Sequence, residues 1–144
     1  MIRIICVGKI KEKFYIDAID EYMKRMQKYH KVVIEEVIDS NPKNEGDLIL
    51  KRIQDKDYVI VMDILGKEMD SLEFSNYLDK CFLNNGTITF VIGGSEGVDF
   101  RVKERANDSI SFSRLTFPHQ LFRVILLEQI YRSIKIMNNE TYHK

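Results

Sequence analysis

Five short, nearly uninterrupted apolar runs, each rich in β-branched residues, recur along this chain and restrict its fold class. The first, residues 2–7, suits a strand covered on both faces. The other four runs are residues 32–38, 58–64, 87–92 and 109–112. Helical spacing of apolar residues predicts helices between and after them, over residues 11–29, 47–56, 70–83, 100–107 and 120–137. Strands alternating with helices predict an α/β fold, a parallel-type sheet with helices on both faces.

Local turn and capping signals refine these boundaries. Residues 40–46 are rich in turn formers and are predicted to be a loop before the second helix. Gly66 and Lys67 are predicted to mark the exit from the third strand. Asp70 and Glu73 have the spacing of a capping box and predict the start of the third helix.

Length and composition predict one domain over residues 1–144, and the cysteine usage predicts a cytoplasmic protein. The first residues lack the apolar core of a signal peptide, and no run is long enough to span a membrane. Cys6 and Cys81 stand among apolar residues and are predicted to be reduced core residues. Because these cysteines and three scattered histidines form no metal-ligand spacing, no metal site is expected.

The charges are unevenly distributed although the net charge is zero. Residues 1–34 and residues 101–144 each carry eight Lys and Arg against four Asp and Glu, whereas residues 35–100 carry six against fourteen. If the two ends of the chain fold side by side, the protein presents a basic face. The alternative is that the charges are spread over separate solvated helices.

The last predicted helix is apolar on more than one side, which indicates two packing partners. One partner is the sheet of the same chain, and a second copy of the chain is the expected other partner. The alternative is a helix that is simply buried within the monomer.

Two loops at the ends of successive strands are the candidate ligand-binding segments. Residues 93–97, Gly-Gly-Ser-Glu-Gly, permit close backbone approach to a ligand, although a tight strand-to-helix turn explains the same residues. Residues 111–120 form a long connection for so compact a chain, which indicates a function. His119 in this segment is either a functional group or a structural histidine.

Four segments together resemble one protein family. They are Phe-Val-Ile-Gly-Gly-Ser-Glu-Gly at residues 90–97, Ser-Phe-Ser-Arg-Leu-Thr-Phe-Pro-His-Gln at 111–120, Leu-Leu-Glu-Gln-Ile-Tyr-Arg at 126–132, and Tyr-His-Lys at 142–144. The chain resembles, over essentially its whole length, the bacterial large-subunit rRNA pseudouridine N3-methyltransferases, minimal members of the SPOUT superfamily of knotted methyltransferases.

The resemblance implies a C-terminal deep trefoil knot, a homodimer, and S-adenosylmethionine as methyl donor. It implies methylation of N3 of a pseudouridine in a 23S rRNA stem-loop, with the assembled ribosome as the expected partner. It also implies donor-binding positions at Met62, Gly93, Phe112, Ser113, Arg114, Leu115, Thr116 and Phe117.

The C-terminal residues are implied to act in catalysis. His143 is the candidate base or base-orienting group, and Tyr142 is expected to stack on or hydrogen-bond the target base. Lys144 and Arg123 are the candidate phosphate-binding groups. The tail is expected to fold over the site, from the same chain or from the partner subunit.

Three other functions fit parts of the sequence. A knotted methyltransferase acting on tRNA is disfavoured because no RNA-binding domain is appended. A non-catalytic, ribosome-associated nucleotide-binding factor would bind the donor without turnover. A dehydrogenase-like domain lacks the glycine fingerprint on its first strand.

Overall fold

A computed structural model describes all 144 residues, which alternate strictly between strands and helices. The elements, in chain order, are β1 (Ile2–Val7), α1 (Lys13–Met26), β2 (Val32–Val37), α2 (Pro42–Arg52), β3 (Tyr58–Glu68), α3 (Ser71–Asn84), β4 (Ile88–Ile92), α4 (Phe100–Arg105), β5 (Asp108–Ser111) and α5 (His119–Met137). None of these helices is both long and apolar enough to cross a membrane.

The five strands form one sheet in the order β2-β1-β4-β3-β5, and every neighbouring pair is parallel. Ile4 in β1 lies opposite Ile34 on one side and Phe90 on the other. The predicted parallel sheet is therefore confirmed. Because all strands run the same way, the loops that follow β3, β4 and β5 meet at one edge of the sheet.

Helices cover both faces of the sheet, as the sequence predicted. In β1, Ile2, Ile4 and Cys6 belong to the larger core, which lies against α1, α3 and α5, while Ile5 and Val7 belong to a smaller core against α2 and α4. This alternation explains why strand β1 is an apolar run rather than an alternating one.

Both cysteines are free and buried, as predicted. Burial raises the pKa of the Cys6 thiol to about 12, although the nearby Arg123 opposes that shift. The Cys6 thiol is therefore protonated and unreactive at neutral pH.

Helix α2 begins earlier than predicted. Residues 42–46 are helical, so the prediction of a loop over residues 40–46 was wrong for most of that segment. The Asn41 side chain caps the helix by accepting a hydrogen bond from the Asn44 backbone N–H at 2.9 Å. Pro42 occupies the first helical position, where its missing N–H costs nothing. The Asn-Pro pair is thus a helix start.

Strand β3 continues past its predicted exit. Met62 pairs with Ile110 of β5, and after a four-residue excursion Lys67 pairs with the same residue. Gly66 permits this second pairing, because a Cβ there would lie 2.7 Å from the backbone nitrogen of Ile110. The predicted end of the strand at Gly66 is instead a point of close contact between two backbones.

The start of α3 is confirmed in detail. The Asp70 carboxylate accepts from the Glu73 backbone N–H at 2.8 Å, and the Glu73 carboxylate accepts from the Asp70 N–H at 3.0 Å. These reciprocal bonds form the predicted capping box.

Gly66→Ala is expected to lower the free energy of unfolding by about 1–3 kcal/mol, since the new methyl group meets backbone rather than a movable side chain. Gly86→Ala is the matched control, because a Cβ at Gly86 meets no atom within 4 Å. Urea unfolding of both variants at one protein concentration measures the difference. Equal stabilities of the two variants would contradict the close approach at Gly66.

Candidate functional site

A cavity of about 400 Å³ opens at the carboxyl ends of β3, β4 and β5 and is here called the strand-end cavity. This volume is within the range of small-molecule sites, and half of its lining residues are hydrophobic. The excursion after Met62, the glycine loop after β4 and the loop between β5 and α5 form its walls.

The structure brings together seven of the eight predicted donor-binding residues in this lining. They are Met62, Gly93, Phe112, Ser113, Leu115, Thr116 and Phe117. The exception is Arg114, whose side chain is 88% exposed, points away from the cavity and lies 3.6 Å from a Glu68 carboxylate oxygen. Any contact of Arg114 with a ligand in the strand-end cavity would therefore involve its backbone.

The loop between β5 and α5 is held by its own side chains. Ser111 donates a hydrogen bond from its hydroxyl to the Ser113 carbonyl at 2.9 Å, and the Leu115 N–H donates to the Ser113 hydroxyl at 3.0 Å. The Phe112 ring packs edge-on against Phe74 at 5.0 Å between centroids. Aromatic packing and short-range hydrogen bonds thus give the cavity one ordered, mainly apolar wall.

The glycine loop after β4 is compact because side chains are missing where the backbone folds onto itself. A Cβ at Gly93 would lie 2.6 Å from Val98 and 2.9 Å from the Gly97 carbonyl oxygen. Gly97 has φ +87°, and its N–H donates to the Gly94 carbonyl at 3.1 Å. These features provide the tight turn that was one interpretation of this segment, and they also let backbone line the cavity.

The first turn of α2 supports the glycine loop from behind. The Glu45 carboxylate is buried, accepts from the Ser40 N–H at 2.8 Å, and lies beside Gly94. Gly46 lies against Asp99, where a Cβ would be 2.7 Å from the Asp99 Cβ. Burial, followed by the neighbouring carboxylates of Asp39 and Glu96, raises the pKa of Glu45, although the Ser40 N–H opposes the shift.

Sequence reasoning missed several residues that line the strand-end cavity. Asp63, Ile64 and Leu65 come from the excursion in β3, and Lys103 comes from α4. Asp63 and Lys103 form an ion pair with 3.1 Å between Oδ2 and Nζ. The long third apolar run and Gly66 were the available signals for the excursion, but the position of Lys103 depends on how α4 packs. His119 and Phe122 of α5 also line the cavity.

The C-terminal residues pack on the far part of α5 rather than at the strand-end cavity. Tyr142 donates to Glu128 Oε1 at 3.0 Å, and Arg132 lies over its ring at 4.8 Å. A guanidinium nitrogen of Arg132 lies 3.0 Å from His143 Nδ1. At 1.5 Å per helical residue, Glu128 is about 9 Å along the axis from Phe122 and about 14 Å from His119, which both line the cavity.

Tyr142 is a weak acid in this position. Burial, and then its hydrogen bond to Glu128, raises the pKa of Tyr142 to about 12. Its hydroxyl therefore stays protonated at neutral pH and acts as a hydrogen-bond donor. Lys144 is exposed beside it.

Arg123 is 3% exposed and is already paired within the chain. Its guanidinium forms an ion pair with Glu36 and donates to the Gly8 carbonyl at 3.2 Å. The side chain thus joins α5 to the ends of β1 and β2. This burial leaves Arg123 no free face for the phosphate that the sequence interpretation assigned to it.

Glu45→Gln is expected to gain stability relative to the parent chain as the pH rises from about 4 to about 8. Because the pKa of Glu45 is raised in the folded state, its protonated form is favoured there, and stability is lost as the pH rises through that pKa. Glutamine keeps an acceptor for the Ser40 N–H and does not titrate. Urea unfolding across this pH range tests the expectation.

Glu104→Gln is the control, since Glu104 is exposed and does not touch the glycine loop. If the free energy of unfolding changed with pH in the same way for the Glu45 variant and the parent chain, a raised pKa for Glu45 would be contradicted.

Comparison with known proteins places the chain in a family. Residues 1–143 match the family described as "Predicted SPOUT methyltransferase". Ribosomal RNA large subunit methyltransferase H of Clostridium botulinum (strain Hall) is 53% identical, over 99% of each chain. Ribosomal RNA large subunit methyltransferase H 1 of Clostridium perfringens (strain SM101) is 49% identical, also over 99% of each chain. The chain belongs to the SPOUT methyltransferase family.

Proposed function

We propose that this chain transfers a methyl group from S-adenosylmethionine to N3 of a pseudouridine in a 23S rRNA stem-loop. The proposed acceptor is the assembled ribosome in the cytoplasm, and the proposed active form is a homodimer. The observation that carries the proposal is the convergence of Met62, Gly93 and the loop after β5 around one cavity. Family membership and the names of the relatives support the reaction and the class of RNA.

The strand-end cavity suits the donor in size and chemistry. Adenine is flat and uncharged, and the cavity offers Met62, Leu115 and the ordered aromatic wall. The compact glycine loop offers backbone groups to the ribose and to the sulfur region, where a side chain would intrude. When bound, the donor supplies a methyl group on a positively charged sulfur.

In the proposed reaction, N3 of the base attacks the methyl carbon while the bond from that carbon to sulfur breaks. The positive charge on sulfur is lost with the leaving thioether, and the N3 proton passes to solvent or to a nearby base. The protein residues hold the two reactants in line and exclude water, which is the main contribution that positioning can make.

We infer that His143 orients the base rather than removing its proton. Arg132 is an obligatory donor, so its contact with Nδ1 leaves that nitrogen as the acceptor. A neutral ring then carries its proton on Nε2, which faces away from Arg132. The Nε2–H is suited to donate to an oxygen of the target base as negative charge develops there. Tyr142, held by Glu128 and Arg132, is the proposed neighbour of the base.

The tail is proposed to act on the strand-end cavity of a second copy of the chain. The distance along α5 separates Tyr142 and His143 from the cavity of their own chain. Half-buried apolar residues remain on α5, which suits a subunit interface; they are Leu121, Val124, Ile125, Ile136 and Met137. Lys144, exposed at the end of the tail, is the proposed phosphate contact.

The two ends of the chain do fold side by side, since α1 packs against α5. Several of their cations are paired: Arg25 with Glu21, Arg132 with Glu128 and Lys135 with Glu140. Lys24 of α1 and Lys28 in the turn after it are exposed and form no ion pair, so they are suited to RNA phosphates.

Methyl transfer from labelled S-adenosylmethionine to ribosomes that lack the modification is the direct test, with tRNA as a parallel acceptor. We expect label at N3 of a pseudouridine in large-subunit rRNA and none in tRNA. Label in tRNA would favour the tRNA methyltransferase function. Donor binding without transfer to either RNA would favour the non-catalytic factor.

Deletion of residues 142–144 is expected to abolish transfer and to leave donor affinity within about twofold, because the tail lies away from the strand-end cavity of its own chain. Full activity of the truncated chain would contradict a catalytic tail. Donor binding by equilibrium dialysis is the control for folding.

The activity of mixed dimers tests whether the tail acts on the cavity of its own chain or on that of the other subunit. A chain without residues 142–144 and a full-length Gly93→Ala chain, whose glycine loop cannot close, are each expected to be inactive. Co-expressed with different affinity tags, the two chains are expected to form mixed dimers with one working site. Absence of activity in purified mixed dimers would show that the tail serves its own chain.

A further inference from the structure

Two opposite charges face each other in the wall of the strand-end cavity. Asp63 supplies the one carboxylate in the lining, and Lys103 supplies the one ammonium group. Asp63 stands at the start of the excursion in β3, and Lys103 lies on α4. Their ion pair, 3.1 Å between Oδ2 and Nζ, therefore joins two separate elements beside the site.

We propose that Asp63 and Lys103 bind the amino-acid end of the methyl donor, a step that rests on the proposed function. Lys103 takes the α-carboxylate and Asp63 takes the α-ammonium group. The two charges of the donor lie on substituents of one carbon atom, so a protein pair of opposite charges in close contact matches both. In the complex, the two charges of the protein and the two of the donor then alternate in sign.

The two sides of the cavity differ in the way this assignment requires. The loop between β5 and α5 brings Phe112, Leu115 and Phe117, which suit the uncharged adenine. Lys103 comes from α4, whose Val102 packs in the smaller core on the opposite face of the sheet from α5. A donor that spans the cavity from the aromatic wall to α4 thus has its charged end at the charged wall.

The Asp63–Lys103 pair is also easy to open. The Lys103 side chain is 41% exposed and that of Asp63 is 19% exposed, and ion pairs at such positions stabilise the folded chain little. An ammonium group has three donors, and Asp63 is the one acidic partner of Lys103. The Leu65 N–H donates to Asp63 Oδ1 at 3.2 Å and holds the carboxylate in place when Lys103 turns toward a ligand.

Two nucleosides separate the contribution of the amino-acid end from that of the rest of the donor. S-adenosylhomocysteine, the product, has both charged groups, whereas 5′-methylthioadenosine keeps adenine, ribose and thioether and lacks the amino acid. Binding of each is measured by isothermal titration calorimetry on the full chain. We expect the parent chain to bind S-adenosylhomocysteine at least about tenfold more tightly, since each charged hydrogen bond contributes substantially in a partly closed site.

Lys103→Met is expected to weaken binding of S-adenosylhomocysteine by about tenfold or more and to change binding of 5′-methylthioadenosine by less than about twofold. Lys103→Arg keeps the charge and is expected to recover most of the affinity. Lys51→Met, at an exposed position on α2 outside the cavity, is the matched control and is expected to bind both nucleosides like the parent chain. Retained binding of 5′-methylthioadenosine reports that the variant is folded.

Equal effects of Lys103→Met on both nucleosides, or no effect on either, would overturn the assignment of the charged pair and leave the donor site standing. The same conclusion follows if the parent chain binds both nucleosides equally. A parent chain that binds neither nucleoside would overturn the proposed donor site itself, and this assignment with it.

Discussion

The pairing of β5 with β3 is the constraint on which the site depends. It places the loop after β5 next to Met62 and the glycine loop, although these segments are far apart in sequence. The pairing continues beyond the excursion because Gly66 lets the two backbones touch. A side chain at that position would separate the strands and open the cavity between them.

The buried Glu45 side chain occupies the place where a parallel sheet usually binds its ligand. The connections from β1 and β4 leave in opposite directions, which is ordinarily where a binding crevice forms. In this protein Glu45 lies at that point, against Gly94 and near Val7. The cavity is accordingly found beside the ends of β3, β4 and β5. The same carboxylate supports the glycine loop, so α2 shapes the site without lining it.

The position of the tail is the basis of the proposal that the enzyme acts as a dimer. Tyr142 and His143 are held by Glu128 and Arg132, further along α5 than the two residues of that helix that line the cavity. In the proposed dimer, these ordered residues meet the cavity of the other subunit. The C-terminal knot that the family implies remains a prediction for this chain.

The sequence determined the fold class and the order of the elements, because apolar periodicity is a local signal. Its two strand-end loops indicated much of the cavity lining, and the family resemblance added Met62. Local reasoning failed at Asn41–Pro42, where a turn-like pair starts a helix, and at Gly66, where a glycine continues a strand. Tertiary structure alone decided that Lys103 meets Asp63, that Arg123 is buried against Glu36, and that the tail lies on α5. Those outcomes depend on packing between segments distant in the chain, which no local pattern encodes.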